Sequence, residues 1–250
     1  MNRLIALSYS PWSEKARWAL LHHRIAFVES AFVPMLGAPL LRLRTRKFSG
    51  RITVPALLTE AGVFMDSWDI ARFAEAQSQG RTEPLFPAAL LEAIAEYTAR
   101  GERLMEAGRA LSTRRIADDP EAQVEALPDF LGEGTLRNIS RPVARLGVRY
   151  FNQKYDLGAG TEAERTESMR NELLAFRAGL GGSDTLFGPF TFAEIAMTQA
   201  LQFVRPIEEG GGRRPHMKPA TRRCFTHEAL AAGFEDLLAW RDATCGRHQP

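Results

Sequence analysis

A change of pattern about a third of the way along the chain constrains the fold more than any other sequence feature. Residues 1–77 alternate short apolar runs of β type with helical patterns, in the order βαβ, an irregular or helical stretch, and ββα. Beyond residue 87 the apolar residues recur at helical spacing and no convincing strand remains. The sequence therefore predicts an α/β part followed by an all-helical part.

The stretch QSQGRTEPLFP between the two patterns is polar and punctuated by proline, which is typical of a linker. We expect domains at 1–77 and 88–250, joined by a linker at 78–87. A chain of 250 residues with 45% apolar residues can form two packed cores. Within the second part, the sequence from Thr191 to Glu194 predicts a capping box at the start of a helix.

Composition excludes several classes of protein. The net charge of +2 is far below the basic surplus of a dedicated nucleic-acid binder. No apolar run approaches the roughly 20 residues of a membrane span, and the N-terminal apolar run is too brief for a signal peptide, so we expect a cytoplasmic protein without membrane contact. Cys224, Cys245 and the histidines show no metal-ligand spacing, and no metal site is expected.

The quartet Ser10, Pro11, Trp12 and Ser13 lies between the first apolar run and the first predicted helix. One interpretation is structural, because serine is a good N-cap and proline suits the first helical turn. The other is chemical, because a hydroxyl at a helix N-terminus lies among unpaired N–H donors that stabilise an anion. The quartet by itself leaves both interpretations open.

Five motifs, in order along the chain, resemble the glutathione transferase family. SPWSEKARWAL is similar to the SPF or CPF motif of tau-like and omega-like members, ITVPALLTE to the VPxL strand, and MDSWDIARF to the turn that leads into a helix. FGPFTFAEIAMTQAL and FEDLLAWRD resemble helices of the C-terminal domain. The resemblance implies a thioredoxin-like N-terminal domain, an all-helical C-terminal domain, glutathione as co-substrate and a homodimer.

The same resemblance implies that Ser10 stabilises the thiolate of bound glutathione. A thiol with a pKa of about 8.5 is mostly protonated at neutral pH, and a hydroxyl donor at a helix N-terminus lowers that pKa. Ser8 and Tyr9 are nearby alternatives, and Tyr9 is the stronger rival, since related families use a tyrosine hydroxyl from this end of the first strand. Ser13 stands where a CxxC motif has its second cysteine, and it fits a helix cap.

The resemblance also assigns residues to the other parts of glutathione. The Val54–Pro55 bond is expected to be cis, with the Val54 backbone pairing with the cysteinyl part. Asp66 and Ser67 are expected to bind the γ-glutamyl end, and both also fit ordinary helix caps. Arg51 is expected to bind the glycyl carboxylate, although its basic surroundings depart from the family pattern and also fit a solvated face.

The second substrate, an apolar electrophile, is expected to bind between the two domains. Its pocket is expected to be lined by Tyr9, Trp12, Tyr97, Arg100 and Met105. The stretch 128–158 is longer and more basic than the family pattern, and it leaves the identity of the electrophile undetermined.

The predicted activity is therefore glutathione transfer to an electrophile, as in detoxification. A non-catalytic ligand-binding or assembly module with the same fold is the alternative, since fold alone does not establish function. A thiol-disulfide reductase is disfavoured, because that chemistry requires a protein thiolate and no cysteine precedes residue 224.

Overall fold

The structure is a computed structural model that describes residues 1–32, 37–46, 48–50, 52–125, 160–208 and 217–250. Arg51 and the stretch 128–158, both singled out in the sequence, lie outside the described residues. Within the described ranges every strand lies before residue 65, and only helices, turns and irregular segments follow.

The N-terminal part is built on a four-stranded mixed sheet in the order β2-β1-β3-β4. Its strands are β1 (Asn2–Ala6), β2 (Phe27–Ala31), β3 (Ala56–Thr59) and β4 (Gly62–Phe64). β1 is parallel to β2 and antiparallel to β3, and β3 is antiparallel to β4. Three helices complete this part: α1 (Pro11–His22), α2 (Gly37–Thr45) and α3 (Ser67–Ser78).

Helices cover both faces of this sheet. Successive strand residues point to opposite faces, so the adjacent residues Leu4 and Ile5 enter different cores. Leu4 packs with Leu20 of α1 and Ile70 of α3, whereas Ile5 packs with Leu41 of α2. The sheet therefore lies between α1 and α3 on one side and α2 on the other, which confirms the predicted thioredoxin-like domain.

The described residues of the second part form helices joined by turns and irregular segments, and none of them forms a strand. Its helices are α4 (Leu91–Asp118), α5 (Pro120–Glu125), α6 (Glu162–Leu180), α7 (Phe192–Ala200), α8 (Pro219–Phe225), α9 (Glu228–Gly233) and α10 (Glu235–His248). α7 is buried along its whole length and begins with the predicted capping box of Thr191 and Glu194. None of the helices in the described ranges combines the length and hydropathy that a bilayer crossing requires.

One apolar core joins the two parts. It contains side chains from α1, α3, α4, α7 and α10, including Trp18, Ala71, Ile94, Phe192 and Cys245. The stretch 78–87, predicted as a linker, connects α3 to α4 and contributes Leu85 and Phe86 to this core. The Glu75 carboxylate of α3 accepts hydrogen bonds from the backbone amides of both residues, at 2.8 and 2.9 Å.

Two residues at the end of the chain, which we call the C-terminal clasp, lie against α1. The indole N–H of Trp18 donates to the carbonyl of His248 at 3.0 Å, and the side-chain amide of Gln249 donates to the Glu14 carboxylate at 3.0 Å. The His248 ring also stacks on Phe190 with a centroid distance of 4.1 Å. The clasp of His248 and Gln249 thus ties the helical part to the first helix of the N-terminal part.

Candidate active site

The register of the sheet brings three distant parts of the chain to one edge. β1 and β4 end at this edge and β3 begins there, because Ile5 pairs with Ala56 and Leu57 pairs with Phe64. The segments at or just beyond these strand ends are those predicted to bind glutathione: Ser10, Val54–Pro55 and Asp66–Ser67.

Two helices also begin at this edge. α1 starts directly after Ser10 and α3 starts directly after Asp66, each as a helix of 12 residues. The N-terminus of a helix carries partial positive charge and unpaired N–H donors. An anionic group is therefore favoured at two points of the same edge.

Ser10 is the N-cap of α1. Its hydroxyl oxygen accepts a hydrogen bond from the Ser13 amide at 3.4 Å, and its carbonyl accepts one from the Glu14 amide at 3.0 Å. The side chain is half-buried. Because a capping serine uses only an oxygen lone pair, its O–H proton remains a donor. The structural and the chemical interpretations of this serine are therefore compatible.

Ser13 has a different role from the cap that the sequence suggested. It lies inside the first turn of α1 with its side chain completely buried. Its hydroxyl accepts a hydrogen bond from the backbone amide of Leu7 at 3.1 Å. The expectation that Ser13 caps the helix is wrong, since its hydroxyl turns inward to the end of β1 and Ser10 supplies the cap.

Tyr9 and the Val54–Pro55 segment flank Ser10 at this edge. Tyr9 is half-buried and packs against the core of the helical part. The Val54–Pro55 peptide bond is cis, as predicted. Val54 packs against the apolar cluster beneath α2, and Pro55 is buried.

Asp66 and Ser67 form the start of α3. Asp66 is exposed, and its carboxylate caps the helix by accepting a hydrogen bond from the Trp68 amide at 2.8 Å. Ser67 is the first residue of the helix and is buried. The capping role is therefore present in the structure, and the glutathione-binding role of this pair stays a prediction.

The basic stretch before β3 is described only in part. Arg51, predicted to bind the glycyl carboxylate, lies outside the described residues. Arg42 of α2 donates to the carbonyl of Gly50 at 2.8 Å, which ties α2 to the segment that leads to this edge.

Tyr9, Trp12 and Tyr97 of the predicted electrophile pocket pack against the helical core that contains Met105, and Arg100 lies over the Tyr97 ring at 5.8 Å. Their role in binding an electrophile stays a prediction. Tyr97 and Arg100 of α4 face α6, where the Tyr97 ring lies 6.3 Å from the Phe176 ring and Arg100 pairs with Glu172 at 3.3 Å. Met105 is completely buried in the helical core. The side chains of an α-helix diverge by about 100° per residue, so Met105 lies on the face of α4 that carries Glu102 and Arg109, the two residues in contact with Trp12, whereas Tyr97 and Arg100 turn towards α6.

Three charged residues that the sequence analysis left unassigned surround Trp12. The indole N–H of Trp12 donates to one carboxylate oxygen of Glu102 at 2.7 Å, and the Lys15 ammonium pairs with the other oxygen. The Arg109 guanidinium lies 4.8 Å from the centre of the Trp12 ring, and the Phe203 ring is 5.6 Å away. The sequence spacing of Trp12 and Lys15 predicts that both lie on one face of α1. No local sequence pattern predicts that Glu102 and Arg109 of α4 lie beside them.

Among the described residues, this edge holds neither a cysteine nor a group of metal ligands. Cys224 and Cys245 are both buried in the helical part, and burial raises the pKa of Cys224 to about 11. Among the residues that the structure describes, no three His, Cys, Asp or Glu side chains come together as metal ligands.

Comparisons with known proteins point to one family. The family model "Glutathione S-transferase, N-terminal domain" matches residues 9–77, the part that carries the strand ends described above. A comparison with curated protein sequences gives no match.

Solved structures with a similar fold are glutathione transferases. One from Methylobacillus flagellatus, with glutathione bound, is 13% identical and covers 98% of this chain and 95% of its own, with a TM-score of 0.61. One from Methylobacterium radiotolerans, in complex with glutathione sulfonate, is 18% identical, with coverages of 100% and 94% and a TM-score of 0.60. The rice protein GST1, in complex with glutathione, is 15% identical, with coverages of 100% and 91% and a TM-score of 0.61.

Proposed function

We propose that this protein is a glutathione transferase that activates the thiol of glutathione for attack on an apolar electrophile. The observation that carries the proposal is the position of the Ser10 hydroxyl, at the N-terminus of α1 and on the edge where α3 also begins. The match of residues 9–77 to the family model and the glutathione named with similar structures support it.

In the proposed reaction Ser10 donates its O–H to the sulfur of bound glutathione. This hydrogen bond and the positive end of α1 favour the thiolate, so the thiol releases its proton to solvent nearer to neutral pH. The thiolate sulfur then forms a bond to the electrophilic carbon, and the leaving group departs with the electron pair of the bond that breaks. The protein supplies the charge stabilisation and the orientation of the two substrates.

The remaining contacts hold glutathione in register with Ser10. The Val54 backbone pairs with the cysteinyl part, and Asp66 and Ser67 bind the γ-glutamyl end at the start of α3. Arg51 takes the glycyl carboxylate. The electrophile lies beside Tyr9 and Trp12, between domains at 1–77 and 88–250, and the functional unit is a homodimer.

Substitution of Ser10 tests the proposal directly. Ser10→Ala removes both the donor and the cap, whereas Ser10→Gly removes the donor but keeps most of the capping preference. Both variants should raise the pKa of the bound thiol by about 1 unit and slow conjugation at neutral pH roughly tenfold, with little change in glutathione affinity. The measurement is the pH profile of thiolate absorbance and turnover with a chlorodinitrobenzene.

Two further variants separate the possible outcomes. Ser13→Ala should leave the thiol pKa near the wild-type value, because the Ser13 side chain is completely buried and its hydroxyl is bonded to the Leu7 amide. A pKa shift confined to Tyr9→Phe would assign the activating hydroxyl to Tyr9. Failure of the wild type to bind glutathione at millimolar concentration would refute the proposal and leave a binding module of the same fold.

A further inference from the structure

A carboxylate of the helical part reaches across to the first two turns of α1. Glu102, on α4, uses both of its oxygens for this contact, one for Trp12 and one for Lys15. Trp12 is the second residue of α1 and Lys15 the fifth, so they lie on one face of the helix one turn apart. One side chain of α4 thus holds two consecutive turns of a helix in the other part.

The burial of Lys15 makes this contact important for the position of α1. The Lys15 side chain is 0% exposed, and the Glu102 side chain is 35% exposed. A buried ammonium is costly unless a carboxylate compensates its charge. The Lys15 ammonium therefore favours the arrangement in which α1 lies against Glu102.

Trp12 is held on several sides as well. Glu102 accepts its indole N–H, Arg109 lies over its ring, and the Phe203 ring packs against it in a T-shaped arrangement. Trp12 is joined to the N-cap Ser10 through Pro11 alone, and the proline ring fixes one of the backbone dihedral angles between them. A fixed Trp12 therefore limits how far the Ser10 hydroxyl can move.

We propose that Glu102 is a positioning residue, whose hydrogen bonds to Trp12 and Lys15 fix the first turn of α1 and hence the Ser10 hydroxyl relative to the helical part. The catalytic part of this inference rests on the proposed function. The structural part does not, because helix termini are the least stable parts of helices and their order can be measured without any ligand.

The first experiment measures amide hydrogen exchange without glutathione. The amides of Ser13 and Glu14 report on the first turn of α1, since both are bonded to Ser10. Glu102→Gln should speed their exchange at least fivefold. The matched control is Glu172→Gln, which removes a carboxylate that also bridges two cations, Arg100 and Arg103, but between α4 and α6. This control should leave the exchange of both amides within twofold of the wild type.

The second experiment measures steady-state kinetics with glutathione and a chlorodinitrobenzene. Glu102→Gln should lower kcat about tenfold and leave the KM for glutathione within twofold, because Glu102 is placed to orient the reacting hydroxyl and not to bind the tripeptide. A general loss of structure would instead lower the amount of active protein and leave the kcat of the folded fraction unchanged. Glu172→Gln should have the kinetics of the wild type.

Trp12→Phe provides a milder variant that keeps the Lys15–Glu102 pair. It removes the indole N–H together with one of the two fused rings, leaves an aromatic ring beside Arg109 and Phe203, and should lower kcat two- to fivefold, even if Glu102→Gln does not fold. The double variant Glu102→Gln/Trp12→Phe should have a kcat no lower than that of Glu102→Gln alone, because both changes affect the same Trp12–Glu102 contact.

The possible outcomes separate this inference from the proposed function. Wild-type exchange of the Ser13 and Glu14 amides in both Glu102→Gln and Trp12→Phe, with wild-type kcat, would overturn the positioning role and leave the transferase proposal intact. Faster exchange in Glu102→Gln, together with a wild type that neither binds nor conjugates glutathione, would support the structural role and refute the transferase.

Discussion

At the residue scale, Asp66 has a capping role in the structure and a binding role in the proposal. Its carboxylate caps α3 through the Trp68 amide and remains exposed at the candidate site. Asparagine caps helices about as well as aspartate, because its side-chain oxygen accepts the same hydrogen bond. The charge can therefore be removed while the cap is kept.

Asp66→Asn should weaken glutathione binding by roughly 1.5–3 kcal/mol, through loss of a charge-assisted contact with the γ-glutamyl ammonium. The free energy of unfolding should change by only a few tenths of a kcal/mol. Calorimetric titration and urea unfolding measure the two quantities. Asp66→Ala is the comparison, and it should lose about 1 kcal/mol of stability as well as affinity. Unchanged affinity in both variants would leave Asp66 as a helix cap alone.

The sequence could indicate only those site residues that lie near a local signal. Ser10 and Asp66 each precede a helix, where capping preferences are strong, and the Val54–Pro55 bond belongs to a motif of the family. Glu102 and Arg109 carry no such signal, because their relation to Trp12 depends on how α4 packs against α1. The sequence alone does not show which face of α4 each residue occupies, so it could not predict that Tyr97 and Arg100 lie against α6.

At the element scale, the C-terminal end of α1 holds the stretch that connects the two parts. The ring nitrogen Nδ1 of His23 lies 2.6 Å from the hydroxyl of Thr82, and Nε2 of His22 lies 2.9 Å from the Glu83 carbonyl. Burial, and secondarily the neighbouring His22, lowers the pKa of His23 to about 4. Glu75 lies 3.8 Å from Nε2 of His23, but its carboxylate already accepts two backbone amides.

This shifted pKa predicts a loss of stability in acid. The ordinary pKa of 6.5 applies to the unfolded chain, so the unfolded chain binds more protons than the folded one between pH 6.5 and about 4. The contribution of His23 is fully present above pH 6.5 and falls as the pH drops through this window, by about 3 kcal/mol in total. Urea unfolding between pH 4 and 8 should show this slope.

A substitution identifies the group responsible for that slope. His23→Gln keeps a polar side chain that can bond Thr82 but does not titrate. In this variant the free energy of unfolding should fall less between pH 6.5 and about 4, by about the contribution of one histidine. His227, whose pKa burial also lowers to about 4, should continue to titrate in this variant and leave a residual slope. If the free energy of unfolding of the variant fell with acid as steeply as that of the wild type, the assignment to His23 would be wrong.

The order of elements could be predicted where apolar periodicity is clear. The predicted order of βαβ, an irregular or helical stretch and ββα is the order β1, α1, β2, α2, β3, β4 and α3 of the structure. For the stretch that contains α2, the sequence pattern does not distinguish an irregular segment from a helix. The physical reason is that α2 buries a single apolar residue, Leu41, so its sequence shows little periodicity.

At the scale of the whole molecule, the clasp of His248 and Gln249 connects the end of the chain to its first helix. Deletion of residues 248–250 removes the acceptor of the Trp18 indole N–H and the donor to Glu14. Because these groups are buried or half-buried, the deletion should cost about 1–3 kcal/mol of stability. Urea unfolding of the shortened chain measures this loss.

A matched variant distinguishes the two halves of the clasp. Gln249→Ala removes the hydrogen bond to Glu14 and should cost less than the deletion, since the Trp18 contact uses the backbone of His248 and is kept. Equal stability of the wild type and the shortened chain would show that solvent replaces the clasp without loss.

The clasp also affects the order in which this chain acquires its structure during synthesis. Translation proceeds from the N-terminus, and Trp18 precedes the residue that accepts its indole N–H by 230 positions. The thioredoxin-like domain therefore leaves the ribosome with one side of α1 uncovered, and that side stays accessible to solvent and to chaperones while the helical part is being made. α1 can gain its full set of contacts only after the residues up to Gln249 have been translated.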